Sequence, residues 1–168
     1  MKKIDVHKIE MSSPDDTRGL KSLIDEGVVD PKTIIAVLGK TEGNGCVNDF
    51  TRGLSTIAFK LLIAKETGWS EEDIAKKVAF VMSGGTEGVL APHASVFCRI
   101  EAEGEPTSAK TLAASSGFTR EFLPEEQGTM AVVEECKRVT LELMEQAGIT
   151  SAEDVHFVQI KCPLLTSE

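Results

Sequence analysis

A lysine, an arginine and a serine stand near glycines in loops that follow strand-like runs, and these residue types suit a site for a small polar ligand with a serine as candidate nucleophile. Lys40 follows the β-branched run 33–38 through Gly39, and Ser83 ends the run 78–82 and precedes Gly84 and Gly85. Arg52 falls on the first turn of a helix-forming segment that begins near position 48. A serine hydroxyl attacks a carbonyl carbon once a base takes its proton, and N–H groups of the following glycines can face the oxyanion that develops. No Ser/His/Asp arrangement is available, because His7, His93 and His156 lie in or beside strand-like runs without a local partner. Lys40 is then the candidate base. It serves only as the neutral amine, a state that burial and a neighbouring cation such as Arg52 favour. The planar donor fork of Arg52 suits flat acceptors, a carbonyl oxygen or an anionic ring. Plainer roles compete: Ser83 as a turn hydroxyl, Lys40 as a solvated loop lysine, His93 as a structural residue after Pro92, and Asn44 and Asn48 as turn formers. Glu42 and Glu87, each in a glycine loop, are candidate ion-pair partners for Lys40 or Arg52. Cys46 is reactive only if its thiol is acidified, which nothing nearby in sequence requires.

Two nucleotide-binding motifs are excluded. Gly39-Lys40-Thr41 after a strand lacks the first glycine of a phosphate-binding loop, since position 34 is Ile. Gly84-Gly85-x-x-Gly88 is a fragment of a dinucleotide fingerprint with no helical pattern after it.

The elements that position these residues follow from periodicity. Residues 4–11 alternate as a strand with one wet face. Ser13-Pro14-Asp15-Asp16 predicts a helix start, with the helix running to about Glu26 and stopping at Gly27. Leu54, Ile57, Ala58, Leu61 and Leu62 recur at helical spacing, predicting an amphipathic helix on the sheet that ends at Gly68. Ser70 to Asp73 opens a short helix before the 78–82 strand. Strands are expected over 95–101, 111–118 and 155–162, and a long helix over 126–147 with Val132, Cys136, Val139, Leu143 and Ala147 on one stripe. Ser151 to Asp154 is a further cap-like start. The order predicts an α/β (α+β two-layer) fold with helices on one sheet face. Lys161 at the end of the last strand-like run repeats the arrangement around Lys40, as though a second unit opened there.

Composition narrows the partners. The 168 residues are 41% hydrophobic and 27% charged, as in soluble globular domains, with a net charge of −9. Such acidity disfavours nucleic acid and anionic membranes as partners. Cys46, Cys98, Cys136 and Cys162 are widely spaced and fit free thiols in a reducing cytoplasm. The charged N-terminus has no signal-peptide core, and no apolar run approaches the ~20 residues of a membrane span.

Four blocks carry a resemblance: GKTEGNGCVNDFTRG (39–53), MSGGTEGVLAPH (82–93), FTREFLPEE (118–126) and VHFVQIKCPLLT (155–166). They closely resemble the cyanuric acid hydrolase and barbiturase family of ring-opening amidohydrolases. The resemblance implies a chain about twice this length, folded as three YjgF-like domains around a pseudo-threefold axis. Each domain gives a Lys, an Arg and a Ser to one central pocket. It implies that Lys40, Ser83 and Lys161 are catalytic-set residues, with Arg52, Ser83 and Gly84 binding a cyclic imide substrate. Residues 1–150 would then be a first domain with its closing helix, and 151–168 the first strand of a second. In the family one Ser–Lys pair attacks, taken to be the second domain's, while the others hold ring carbonyls. No redox or nucleotide cofactor is implied, and the family's metal site belongs to its C-terminal part. The chain would be inactive alone, completed by a partner chain or as a homotrimer. The alternative is a non-catalytic YjgF-like trimer that binds a small planar metabolite.

Overall fold

Four stretches of extended chain form one four-stranded sheet in the computed structural model, which describes residues 2–85, 88–101 and 111–162. The strands are β1 (Lys2–Glu10), β2 (Ile34–Lys40), β3 (Ala79–Ser83) and β4 (His93–Glu101), in the order β1-β4-β2-β3. β4 pairs antiparallel with β1 and β2, whereas β2 and β3 are parallel. A parallel pair needs a crossover, and helices α2 (Thr51–Thr67) and α3 (Glu71–Lys77) supply it.

The core lies on one sheet face. Val37, Phe80, Met82, Ala94, Val96 and Cys98 point there, against Leu20 of helix α1 (Arg18–Asp25), Phe59 and Ile63 of α2, and Ile74 of α3. Leu38, Val81, Ser95 and Phe97 occupy the other face and stay half-buried, while Val6 is 43% exposed. The architecture is mixed α/β with these three helices on one face, as expected.

Several boundaries differ from expectation, each for a local reason. α1 begins at Arg18 rather than near Ser13, because Asp16 accepts the Ser12 N–H at 2.9 Å and Oγ–H at 2.8 Å and pairs with Arg18. That loop holds the backbone out of the helix for five residues. α2 starts at Thr51, and its buried row is Ser55, Phe59 and Ile63. Leu54, Ile57 and Leu61 of the expected stripe are 48%, 57% and 66% exposed. This helix is apolar over most of its circumference, so periodicity alone left its rotation open. The observed rotation turns Ser55, Phe59 and Ile63 toward the core, with Thr51 at the same four-residue spacing. Gly68 ends α2 with φ +74°, and Ser70 and Asp73 form a reciprocal capping box on α3, both as expected.

The chain divides into two units, Met1–Leu112 and Ala113–Glu168. The second contains helix α4 (Met130–Gln146), capped by Thr129, whose stripe Val132, Cys136, Val139, Leu143 is half-buried. Gly117 lies so close to Leu143 that a side-chain carbon there would sit 2.9 Å from its Cδ2. This grouping of 113–123 with α4 is a different division from the family-based boundary at 150/151. The strands expected over 111–118 and 155–162 are not formed: neither segment joins the sheet. An alternating sequence gives two faces, but a strand also needs a neighbour for its N–H and C=O groups. Ser151 caps only a short 3-10 turn, Ala152–Asp154. Among the described residues no helix is long and apolar enough to cross a membrane.

Candidate active site

Strand register brings the lysine and the serine together. Lys40 and Ser83 are direct partners at the ends of β2 and β3, so both side chains leave the sheet on one face. Lys40 Nζ donates to Ser83 Oγ at 2.9 Å in a half-buried setting, and the Ser83 hydroxyl lies 3.3 Å from the Gly84 carbonyl as a donor. In this arrangement the hydroxyl oxygen accepts from the amine. Attack on a carbonyl requires the reverse: a neutral amine accepting the serine proton. Antiparallel register with β4 extends the row. Glu10 faces His93, and His93 faces Lys40, on the same side of the sheet as Ser83. His93 Nδ1 is 2.8 Å from the Ala91 carbonyl, which makes that nitrogen the protonated one and leaves Nε2 the other ring position.

The glycines beside the pair act unequally. The Gly85 N–H donates to the Gly43 carbonyl, so it does not face a ligand as the sequence suggested. A backbone amide already committed within the protein cannot also stabilise an oxyanion. The Gly84 N–H has no acceptor among the described residues and remains the donor candidate. Behind them, Thr41 is fully buried and its N–H donates to the Ser83 carbonyl at 3.0 Å, fixing the backbone under the serine.

Arg52 is on the first turn of α2, as expected, but its fork is partly occupied. One terminal nitrogen donates to the Cys46 carbonyl at 2.6 Å, and Nε lies 3.4 Å from Asp49 Oδ2. Arg52 therefore takes Asp49 as its partner instead of Glu42, and Glu87 lies outside the described residues. Asn44 and Asn48 fix the turn: Asn44 Nδ2 donates to Asn48 Oδ1 at 2.9 Å, and the Cys46 N–H donates to Asn44 Oδ1 at 2.8 Å. Cys46 is a free, exposed thiol. Lys161 lies in the second unit, exposed and in irregular chain.

The residue that sequence reasoning missed is Asp49. Its side chain has no solvent exposure. Burial alone would push the carboxyl up. The Thr51 hydroxyl, the Gly45 and Thr51 N–H groups and the Arg52 charge outweigh that and hold it below the usual carboxylate range. The available signal was its place two residues before Thr51, where an Asp accepts the N–H of an opening helix turn.

The chain is similar to known proteins over nearly its whole length. The family model for amidohydrolase ring-opening proteins matches residues 5–168. The cyanuric acid amidohydrolase of Enterobacter cloacae is 50% identical over 165 residues, covering 96% of this chain and 45% of that protein. The cyclic amide hydrolase of Azorhizobium caulinodans is 49% identical over 164 residues, covering 98% and 45%. A solved cyanuric acid hydrolase, described as evolutionary innovation by structural concatenation, superposes with a TM-score of 0.86 at 48% identity. That match covers 99% of this chain and 46% of the other. The chain spans a little under half the length of the curated relatives it matches.

Proposed function

The chain belongs to the ring-opening amidohydrolase family, and from that premise we propose that it supplies the first repeat of a cyclic amidase. Its substrate class is cyanuric acid or a related cyclic imide such as barbituric acid. The observation that carries this reading is the 2.9 Å contact between Lys40 Nζ and Ser83 Oγ. Residues 1–150 form the first repeat and 151–168 open the second, whose lysine is Lys161.

The chemistry is that of an acyl-transfer hydrolase. A neutral lysine takes the serine proton as Oγ bonds to a ring carbonyl carbon, and the carbonyl electron pair moves onto oxygen. In this repeat the Gly84 N–H, without an acceptor among the described residues, is the donor left for such an oxyanion. Collapse breaks the ring C–N bond, and the lysine ammonium returns its proton to the departing nitrogen. Water then hydrolyses the acyl-enzyme. Cyanuric acid opened in this way gives carboxybiuret, which loses CO2 to leave biuret. In the three-repeat arrangement the second repeat's pair, including Lys161, attacks, while Lys40 and Ser83 donate to another ring carbonyl. Where three copies of this chain assemble, Lys40–Ser83 is itself the attacking pair.

Lys40, Arg52 and Ser83 form one third of a ring-shaped pocket, so the isolated monomer has no useful turnover. A partner chain or two further copies complete it. The test combines light scattering with a ring-opening assay on cyanuric and barbituric acids. Turnover confined to an assembly supports the reading, and turnover by a monomer overturns it.

One observation favours a second reading, a trimeric module that binds a planar metabolite without cleaving it. Arg52 is tied to its own loop, donating to the Cys46 carbonyl and lying against Asp49, which suits a fixed donor better than a group free to follow a reacting carbonyl. Calorimetry decides: binding of barbituric acid without hydrolysis favours the module, whereas turnover abolished by Ser83→Ala favours the amidase.

A further inference from the structure

We propose that Asp49 is the positioning residue of this site, a buried anionic clasp that holds its three segments in register. The inference rests on Lys40, Ser83 and Arg52 being the working set.

The carboxylate reaches every segment that carries one of them. Oδ2 accepts the Gly45 N–H at 2.8 Å, tying down the glycine loop after β2. Oδ1 accepts the Thr51 N–H at 3.0 Å and its hydroxyl at 2.5 Å, anchoring the start of α2 beneath Arg52. Arg52 Nε, 3.4 Å from Oδ2, takes its orientation from the same group. The third segment is reached by packing. A side-chain carbon at Gly84 would overlap Oδ2, and one at Gly43 would overlap Oδ1. The two glycines thus let the carboxylate lie directly against the backbone that follows Ser83.

Proton direction extends the clasp to the end of β2. A carboxylate only accepts, so the Thr51 hydroxyl must donate to Asp49. At 2.8 Å from Thr41 Oγ1, Thr51 then accepts the single hydroxyl proton of Thr41. That leaves the 3.3 Å approach of Thr41 Oγ1 to the Ser83 carbonyl as a packing contact, with the Thr41 N–H as the donor there. The directed chain Thr41→Thr51→Asp49 links the strand bearing Lys40 to the helix bearing Arg52. Buried networks of this kind fix geometry only while every member is satisfied.

Asp49→Asn in the full chain tests this, since Asn keeps the size but removes the charge and one acceptor. Amide exchange read residue by residue by NMR is expected to quicken roughly tenfold to a hundredfold at Gly45, as for loss of a hydrogen bond to a charged acceptor. The Arg52 Nε resonance should move toward that of a solvated arginine. Exchange at Val37 and Val96 in the core should change less than twofold. Unchanged Gly45 exchange and an unmoved Arg52 signal overturn the proposal. Equal acceleration at Val37 and Val96 also overturns it, since that describes a general stabiliser. If Asp49→Asn does not fold, Thr51→Val cuts one hydroxyl from the same network: faster exchange at Gly45 alone supports the clasp, and no change refutes it. None of these readouts needs turnover, so a chain without ring-opening activity would sink the amidase reading and leave this one standing or falling separately.

Discussion

At residue scale, the site depends on two glycines being glycine. Gly84→Ala would press a methyl group into the Asp49 carboxylate and to within 2.9 Å of the Gly43 carbonyl oxygen, neither of which is a flexible side-chain end. Loss of about 1–3 kcal/mol in denaturant unfolding is expected, typical of overpacking, together with displacement of the Ser83 loop. Asp49 also sets an acid limit. Its carboxyl is held down in the folded chain, so its contribution is present above the unfolded value near pH 3.9 and fades as pH falls below it. Gly45 amide exchange, followed from pH 6 downward and corrected for intrinsic rate, should quicken only in that acid range. The Lys40–Ser83 pairing was legible because two glycine-punctuated strand ends predict neighbouring corners. Asp49 was not. A carboxylate in a loop reads as solvated until the tertiary fold removes its water. Occupation of the Gly85 N–H by Gly43 was hidden likewise, being a contact between residues 42 positions apart.

At element scale, the rotation of α2 is the sharpest departure from periodicity. Phe59 is fully buried, and Phe59→Ala should cost about 3–5 kcal/mol. Leu61, 66% exposed, lay on the expected stripe, and Leu61→Ala should stay within about 0.5 kcal/mol of the unmodified chain. Denaturant midpoints of the two variants check this directly, and the opposite ranking would restore the stripe read from sequence. The strands of the sheet were legible from alternation and their flanking turns, and α3 from its capping box. Segments 111–118 and 155–162 were expected as strands and form none, because pairing is a property of neighbours rather than of the segment. In the second unit, Glu126 and Glu135 are held down to about 2, first by hydrogen bonds from Arg120 and Arg138 respectively. A lowered carboxyl stabilises above its unfolded value near 4.3 and stops doing so as pH falls through the folded one. α4 and its cap should therefore loosen between about pH 4 and pH 2, monitored by the amide signals of Thr129 and Ala131.

At the scale of the whole molecule, the sheet presents one face to its helices and leaves the other half-covered, with Leu38, Val81 and Phe97 near the row that ends in Lys40 and Ser83. If three copies assemble through that face, melting temperature should rise with chain concentration, as mass action requires. Val6→Lys should then shift the mass seen by light scattering toward the monomer, and a mass unaffected by the change would place any assembly elsewhere. The crossover between β2 and β3 has a further consequence, in time rather than in space. Lys40 and Ser83 are 43 positions apart and meet only when two helices have docked between them. Closing that loop precedes any reward from the contact, so the pair cannot form before the crossover does. A chain still leaving the ribosome with β3 unmade has a lysine and no serine beside it, and the two meet only once that strand is in the sheet.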